Sequence, residues 1–463
     1  MTTTLAIDMG SSSLRGYLGQ WDGSALSLTE VYRAAHEVRR GEDDSLVWDV
    51  EELISHAVAA VEAGINEAGF LDAIAVDGWG VDYVQVDDKG NPVAPAYAYR
   101  DRRGQWGRAA FAERIDEDDQ AALTGVACQD INTVYRLAWS NAHGALVPGA
   151  TLMFLQDVVA RALLTRPIAG LEQASDPGPW ASLGVASTSG LVDIAHQGWE
   201  PKILQALDID PAFYPPLRGE CEIIGRRGST AIVAAGSHDT ACAVHSLALK
   251  PGDRFVSLGS WAIVGALADP VVDEGLTNEA TARGGNRVQA NLTGMWLAQE
   301  CRRAWEKAGE DVSFSRLDRE AAQAVSPGVL IDPSDPAFAA PGDMPRRIAK
   351  AVADRGGPTL EGIGPILRVV TESVAYAIAQ ALEMLAEQTG ASGNVHVVGG
   401  GTKDALLMRT LASHLDADLV VGASEASVLG STFAQLEVLG VPRAALDDWC
   451  RRAPTLNNEK AEA

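Results

Sequence analysis

The chain contains 463 residues, of which 47% are hydrophobic and 21% are charged, so it can bury a large core and is not a disordered chain. Its 62 acidic and 37 basic side chains give a net charge of −25. A surface this negative repels nucleic-acid backbones and anionic membranes, so we expect neither as a partner. Five scattered cysteines without metal-binding spacing, and an N-terminus without a basic signal region, predict a cytoplasmic protein.

Short apolar runs alternate with longer amphipathic stretches, which indicates an α/β fold. Helical spacing over Val50–Ala68 and Ile366–Glu387 predicts two helices, the second of them in the core. The runs predicted to form strands are Leu5–Ile7, Ala73–Val76, Ala231–Ala234, Arg254–Ser257 and Val395–Val398.

The segment Leu5–Leu18 is echoed by Arg254–Leu267, about half a chain later. The aligned pairs include Gly10 with Gly259, Ser11 with Ser260 and Gly16 with Gly265. Each copy has the pattern of a strand, a tight Gly-Ser turn and a second strand. The repeat predicts two similar domains, which we place at residues 1–243 and 244–445, followed by a tail at 446–463.

The segment from Asp8 to Arg15 follows the first predicted strand and contains a glycine, three serines and an arginine. A glycine in a turn lets the backbone approach a phosphate, and successive N–H groups, hydroxyls and a guanidinium add donors. Asp8 is placed to position a metal ion through water. The sequence predicts a phosphate-binding turn, although an ordinary polar hairpin turn carries the same residue types.

Residues 75–83 also end a predicted strand, with Trp79 beside Gly80 and flanked by Asp77 and Asp82. An indole ring can stack on the apolar face of a sugar while carboxylates take its hydroxyls. The pattern predicts part of a sugar pocket, and a tryptophan packed beneath a polar turn is the alternative.

Residues 236–240, Gly-Ser-His-Asp-Thr, follow another predicted strand and precede a predicted helix. Asp239 can accept the proton of a substrate hydroxyl during phosphoryl transfer. Its alternative role is to cap the helix. His238 is predicted to contact the sugar or to pack within the fold.

A third glycine-rich turn, Gly399–Gly401, stands between a predicted strand and a predicted helix. It is not a dinucleotide-binding fingerprint, because Asp404 occupies the last glycine position of G-x-G-x-x-G. We interpret it as a platform for an adenosine and its α-phosphate.

These segments together resemble the FGGY carbohydrate kinases along the whole chain. The resemblance implies an α/β fold of two actin-like, ribonuclease H-type ATPase domains with an interdomain cleft. It further implies that the first domain binds a ketose and that the second binds ATP, with which Mg²⁺ travels. The motifs that carry it are Asp8–Arg15, Asp77–Tyr83, Tyr99–Arg102, Gly236–Ala241, Leu258–Trp261, Thr277–Glu279, Asn291–Glu300 and Val397–Gly401.

The resemblance also implies individual roles. Asp239 is the catalytic proton acceptor, and Asp8 lies near the magnesium ion. The residues implied to bind ATP are Ser11, Ser12, Ser13, Leu14, Arg15, Ser260, Gln299 and Gly400. The residues implied to bind the sugar are Gly80, His238, Asp239, Thr240 and Asn291.

The leading hypothesis is therefore an ATP-dependent kinase for the O1 hydroxyl of a ketose, with L-rhamnulose favoured by the Asp77–Tyr83 and Asn291–Glu300 segments. L-Fuculose, ribulose and xylulose are the alternative ketoses. An actin-like ATPase without a sugar acceptor would suit the duplicated hairpins alone but would have no use for a Trp79 pocket. A catalytically inactive sugar-binding regulator is opposed by the presence of Asp8 and Asp239. We expect a monomer or a homodimer.

Overall fold

The computed structural model describes residues 1–41, 43–196, 198–273 and 275–452. The strands are β1 (Thr2–Met9), β2 (Ser13–Trp21), β3 (Leu26–Ala35), β4 (Arg39–Arg40), β5 (Leu46–Trp48), β6 (Ala73–Gly78), β7 (Tyr83–Val86), β8 (Ala96–Tyr97), β9 (Thr151–Phe154), β10 (Ala181–Ser182), β11 (Leu217–Arg218), β12 (Glu222–Arg227), β13 (Thr230–Ala234), β14 (Arg254–Leu258), β15 (Trp261–Leu267), β16 (Thr277–Ala280), β17 (Asn286–Thr293), β18 (Val395–Val398) and β19 (Leu419–Val421).

The helices are α1 (Val50–Ala68), α2 (Arg103–Phe111), α3 (Glu117–Thr124), α4 (Thr133–Ala142), α5 (Leu155–Thr165), α6 (Leu183–Ala186), α7 (Pro201–Leu207), α8 (Asp239–His245), α9 (Trp296–Lys307), α10 (Phe314–Gln323), α11 (Met344–Asp354), α12 (Ile363–Thr389), α13 (Ala405–Ala412), α14 (Ala426–Val438) and α15 (Arg443–Arg452). Short 3₁₀ helices occur at Pro211–Phe213, Pro336–Phe338 and Gly400–Lys403.

The first of two compact units comprises the described residues of 1–248, 269–287 and 426–453. Its main sheet has the strand order β12-β13-β6-β1-β2-β3. The central strand β1 runs parallel to β6 and antiparallel to β2. The apolar side chains of β1 are fully buried because helices contact the sheet, with α1 contacting β1 and β2, and α14 contacting β1 and β6.

The second unit comprises the described residues of 249–268 and 288–425. Five of its strands pair in the order β17-β15-β14-β18-β19. The central β14 runs antiparallel to β15 and parallel to β18. Its longest helix, α12, buries Val369, Val370, Val374, Ile378, Leu382 and Leu385, which confirms the predicted core helix.

The predicted duplication is confirmed by the topology of the two sheets. In each unit an antiparallel hairpin, β1–β2 or β14–β15, lies in the middle of the sheet. The first strand of each hairpin has a parallel neighbour on its other side, which is β6 in one unit and β18 in the other. The two glycine turns therefore occupy equivalent positions in two sheets of the same design.

The compact units differ from the sequence-based domain boundaries, because the described residues of 244–248, 269–287 and 426–445, predicted to lie in the second domain, belong to the first unit. Helix α14 belongs to the first unit because it packs on α8, where a Cβ on Gly430 would stand 1.7 Å from the carbonyl oxygen of Cys242. Residues 446–452 of the predicted tail continue helix α15, which buries Leu446 and Trp449. Residues 453–463 of that tail lie outside the described residues.

Helix α12 contains an 18-residue window that is long and apolar enough to cross a membrane, judged by length and composition alone. However, 56% of that window is buried within the protein, as in the core helix of a soluble fold.

Candidate functional site

The turn between β1 and β2 presents backbone groups of the predicted phosphate site. The N–H of Gly10 donates to the carbonyl of Ser13 at 3.0 Å, which closes the turn, while Ser11 and Ser12 are exposed. Leu14 is fully buried. Its side chain belongs to the core, so only its backbone is available to a ligand.

Two acidic side chains lie side by side at the carboxyl ends of β1 and β6. Asp8 and Asp77 are register partners across these parallel strands, and both are buried. Asp8 is also ion-paired with Arg15, its partner across the β1–β2 hairpin. Within the described residues, neither carboxylate oxygen of Asp77 accepts a hydrogen bond of good geometry, although the side chain of Ser431 lies near enough to lower its pKa. Burial, followed by the charges of Asp8 and Asp239, raises the pKa of Asp77 well above its ordinary value.

The segment that carries Asp239 lies beside the end of β6. The N–H of Gly78 donates to the carbonyl of Ser237 at 3.2 Å, and Ser237 adopts a left-handed conformation with φ of 51°. Asp239 is the first residue of α8, and its side chain is 40% exposed. Its Oδ1 accepts hydrogen bonds from the N–H of Thr240 at 2.5 Å and from the hydroxyl of Thr240 at 3.1 Å. The structure thus brings Asp239, Thr240 and His238 to the same edge of the sheet as Asp8.

The buried carboxylate of Glu220 accepts hydrogen bonds from the segment that contains the left-handed residue Ser237. Its two oxygens accept the N–H of Gly184 at 2.7 Å, the N–H of Gly236 at 2.9 Å and the hydroxyl of Ser237 at 3.1 Å. Burial raises the pKa of Glu220 to about 7, although these three donors favour its ionised form. Glu220 thereby fixes the left-handed turn that precedes His238 and Asp239.

We expect Glu220→Gln to lower stability by about 1–3 kcal/mol, because an amide accepts on one side only and leaves a buried N–H without its partner. The pKa of Glu220 rises from 4.5 to about 7 on folding, so between these values the native state binds the extra proton. This group's contribution to stability therefore falls as the pH rises through that range. The difference in melting temperature between wild type and variant should be larger at pH 5 than at pH 8.

Glu222→Gln is the matched control, since Glu222 is an exposed glutamate two residues further along the chain. Its melting temperature should follow that of the wild type at both pH values. Equal melting temperatures for Glu220→Gln and Glu222→Gln would contradict the positioning of the turn by Glu220.

The turn at Gly80 is rigid and closely packed. A Cβ on Gly80 would lie 2.8 Å from the hydroxyl of Thr188, which accepts the N–H of Val81 at 3.0 Å. Trp79 is only 8% exposed, and its ring centroid lies 4.5 Å from that of Trp48. Both indole N–H groups donate to Asp82. Trp79 thus follows the alternative interpretation of a tryptophan packed beneath a polar turn.

In the second unit the structure brings together Ser260 and Gln299, which are 39 residues apart in sequence. The hydroxyl of Ser260 donates to Oε1 of Gln299 at 2.8 Å. The turn is anchored at the start of α9, since the N–H of Met295 donates to the carbonyl of Gly259 at 2.8 Å. Both Gly259 and Ser260 are exposed.

The predicted nucleotide platform lies against the end of β14. Gly399 has a φ of 93°, and a Cβ there would stand 2.7 Å from the carbonyl oxygen of Leu258. Gly400 is exposed, and no described atom lies within 4 Å of a Cβ added to it. Asn291 lies further along the same unit on β17, where its Oδ1 is 3.5 Å from the amide of Gln289.

A cysteine, a histidine and a glutamate also lie close together in the first unit, in a group that does not include the predicted metal residue Asp8. The donor atoms of Cys221, His245 and Glu437 lie within 4.8 Å of one another. Glu437 is ion-paired with Arg283 and with Arg443, and these two cations already neutralise its charge. We assign no metal ion to this group.

Three residues of the site, Glu220, Glu279 and Arg287, had no role assigned from the sequence. Glu279 belongs to a motif that carries the family resemblance, and this motif was a signal that could have found it. Asp77 was expected to take a sugar hydroxyl, but the structure places it beside Asp8. Glu220 and Arg287 lie outside every such motif, and no local pattern marks them. Glu279 and Arg287 form a buried ion pair, and Nη2 of Arg287 lies 2.8 Å from Nδ1 of His238.

Comparison with known proteins shows which family the chain belongs to. Residues 3–245 match the N-terminal domain, and residues 255–436 match the C-terminal domain, of the FGGY family of carbohydrate kinases. The rhamnulokinase of Bacteroides thetaiotaomicron is 29% identical over 94% of this chain and 90% of that protein. The rhamnulokinase of Halalkalibacterium halodurans is 27% identical over 95% of this chain and 94% of that protein.

Among solved structures, the fold is similar to that of a xylulose kinase from Rhodospirillum rubrum. The TM-score is 0.75 at 20% sequence identity, over 97% of this chain and 92% of that one. Together with the matches in both domains, this likeness confirms the predicted two-domain, actin-like ATPase fold. The chain belongs to the FGGY family of carbohydrate kinases and is a sugar kinase.

Proposed function

We propose that this kinase transfers the γ-phosphate of ATP to the O1 hydroxyl of L-rhamnulose, giving L-rhamnulose 1-phosphate. The observation that carries the proposal is the edge of the first sheet, where the glycine turn, the buried pair Asp8 and Asp77, and Asp239 converge. The rhamnulokinases at 27–29% identity over at least 94% of the chain support the choice of sugar. A cytoplasmic location is part of this proposal.

The phosphates of ATP would meet the backbone N–H groups of the turn from Ser11 to Arg15. Successive amides in a tight turn form a concave donor set for anionic oxygens. The serine hydroxyls and the guanidinium of Arg15 would add further donors. In the second unit, Ser260, Gln299 and Gly400 would bind the nucleotide, because their turns are exposed and Gly400 leaves the space beside its backbone open.

Asp239 would take the proton of the attacking hydroxyl. Its Oδ1 is occupied by the two donors of Thr240, and its side chain is 40% exposed, so a carboxylate oxygen remains accessible to substrate. Phosphoryl transfer needs little covalent help from the protein, and positioning and electrostatic stabilisation supply most of the acceleration. A base at hydrogen-bond distance from the hydroxyl completes the reaction by removing its proton.

The residues fit a divalent cation beside Asp8. Asp77 is a fully buried carboxyl group next to a second carboxylate, Asp8, and the single guanidinium of Arg15 offsets only part of their joint negative charge. A cation beside Asp8 would relieve the rest. Asp8 would hold Mg²⁺ through water. When bound with ATP, Mg²⁺ supplies neutralisation of the negative charge on the phosphate oxygens.

The sugar would contact Gly80, His238, Asp239, Thr240 and Asn291. The rigid turn at Gly80 supports this role, since its backbone is fixed by Thr188 and a side chain there would meet Thr188. His238 offers a ring nitrogen next to Asp239, at 3.3 Å from its Oδ1. Polar groups fixed in this way can distinguish ketoses by the direction of their hydroxyls.

A panel of ketoses tests the proposal. ADP production is measured with L-rhamnulose, L-fuculose, ribulose and xylulose, together with a reaction that lacks sugar, and phosphorus NMR locates the phosphate on the product. We expect the highest kcat/KM with L-rhamnulose, phosphorylation on O1, and a sugar-free rate that is a small fraction of the stimulated rate. Preference for another ketose would refute the substrate, and equal ADP production without sugar would indicate an ATPase.

A further inference from the structure

The ring of His238 lies between two sets of charged groups within the first unit. Its Nδ1 is 2.8 Å from Nη2 of Arg287 and 3.4 Å from Oε2 of Glu279. Its Nε2 is 3.3 Å from Oδ1 of Asp239. The backbone of His238 is extended and pairs with Gly78, so the ring position is set by the sheet edge.

Arg287 is held in one place. It is fully buried, it is ion-paired with Glu279, and its Nη1 donates to the carbonyl of Ala280 at 2.6 Å. Glu279 is buried too, yet the charge of the adjacent Arg287 outweighs this burial, and the pKa of Glu279 is lowered to about 2. The carboxylate is therefore ionised at neutral pH and keeps the guanidinium oriented toward the histidine.

A guanidinium has N–H donors and no acceptor. At an N···N distance of 2.8 Å, Nη2 of Arg287 must therefore donate to a lone pair on Nδ1 of His238. The alternative tautomer would set two N–H groups against each other. Glu279 is the other charged group beside Nδ1, and at 3.4 Å its Oε2 lies at the outer limit of a hydrogen bond.

The proton of the neutral ring then resides on Nε2, which faces Asp239. Oδ1 of Asp239 already accepts two hydrogen bonds from Thr240, and it is also the oxygen that lies 3.3 Å from Nε2 of His238, a close electrostatic contact rather than a hydrogen bond. The other oxygen, Oδ2, is therefore the one left to accept the proton of the sugar hydroxyl. The carboxylate of Asp239 would thus be oriented by the ring of His238 as well as by its place at the start of α8.

We propose that Arg287 is a positioning residue of the phosphoryl-transfer site, which fixes His238 in its Nε2–H tautomer so that Oδ2 of Asp239 receives the proton of the sugar hydroxyl. This inference rests on the proposed function, in which Asp239 is the base. Arg287 acts only through His238, and the test therefore reads the state of the histidine directly.

The first measurement is ¹⁵N NMR of the full-length protein labelled at its eight histidines, with the signals of His238 assigned by their loss in His238→Gln. In the wild type at neutral pH, His238 should carry its proton on Nε2. Arg287→Met removes the donor at similar length and should abolish this preference. Arg287→Lys keeps a donor and should restore it.

The second measurement is steady-state kinetics with ATP and the preferred ketose. Arg287→Met should lower kcat by at least about tenfold with KM for ATP unchanged, because the change reaches the reaction only through His238 and Asp239. KM for the ketose should rise as well, since His238 is also a proposed sugar contact. Arg287→Lys should recover most of both losses. If Arg287→Met does not fold, since Glu279 is left buried without its cation, Arg287→Met combined with Glu279→Met carries the same test.

A wild-type His238 protonated on Nδ1 would overturn the proposal, and so would an Arg287→Met enzyme in which the tautomer persists or kcat stays within about twofold of the wild type. The NMR arm does not depend on turnover. Should Asp239→Asn remain active, the assignment of the base would fail, while the spectrum would still report whether Arg287 sets the tautomer.

Discussion

Asp239→Asn is expected to lower the rate of sugar phosphorylation by about 10²–10⁴-fold, the usual contribution of a general base. Asparagine keeps the size of the side chain and an oxygen that accepts the hydrogen bonds from Thr240, but it cannot accept the hydroxyl proton. The melting temperature should therefore change little. A coupled assay of ADP production at saturating ATP and ketose, with a thermal unfolding scan, measures both.

Asp116→Asn is the matched control, because Asp116 caps α3 through its side chain and lies at the start of a helix, as Asp239 does. Its activity should equal that of the wild type. If Asp239→Asn keeps activity within about tenfold, which corresponds to only ~1.4 kcal/mol of barrier, Asp239 is a structural residue at the start of its helix and not the base.

Gly259→Val should raise KM for ATP by at least about tenfold, because a β-branched side chain obstructs the approach of a phosphate to the backbone. The protein itself has room for the change, since the atom nearest to a Cβ on Gly259 is the carbonyl oxygen of Trp261 at 3.9 Å. Gly10→Val should act in the same direction, although its Cβ would also approach the carbonyl oxygen of Ser13 at 3.3 Å. Sugar affinity, measured by calorimetry without nucleotide, should change much less.

Gly198→Val is the matched control, because it also places a valine at a glycine that has room for a side chain. A Cβ added to Gly198 would lie 3.8 Å from the nearest atom, a carboxylate oxygen of Asp193. Its KM for ATP should be that of the wild type. Equal losses of ATP and sugar affinity in Gly259→Val would mean that the substitution disturbs the fold rather than the phosphate turn.

The fold could be predicted from sequence to the extent that its signals are local. Apolar runs marked the central strands, and the period of the apolar residues marked α1 at Val50–Ala68 and most of α12. The duplicated Gly-Ser turns revealed two equivalent hairpins, because a tight turn constrains the residue types on both sides. The assignment of α14 to the first unit could not be predicted in this way, since it depends on a close approach of Gly430 to α8 across almost 200 residues of sequence.

In the candidate site, too, residues in local motifs could be predicted from the sequence, whereas contacts between distant segments could not. Ser260 and Gln299 were named from motifs, and their hydrogen bond across 39 residues agrees with a shared role. Trp79 was assigned to a pocket, but its packing on Trp48 and its bond to Asp82 depend on partners that no local pattern reveals. Glu220 and Arg287 act through tertiary contacts with a loop that was recognised, so their importance appears only once the chain is folded.

The hairpin that carries the first phosphate turn has one more consequence, for the entropy of ligand capture. Both strands leading into residues 10–13 belong to a buried sheet, and the turn is closed by its own backbone hydrogen bond. A loop that is ordered before the ligand arrives loses little conformational freedom on binding, and so more of the attraction between amides and phosphate appears as affinity. If the turn binds nucleotide as proposed, the core of the first unit contributes to that binding without touching the nucleotide, by setting the shape of four residues in advance.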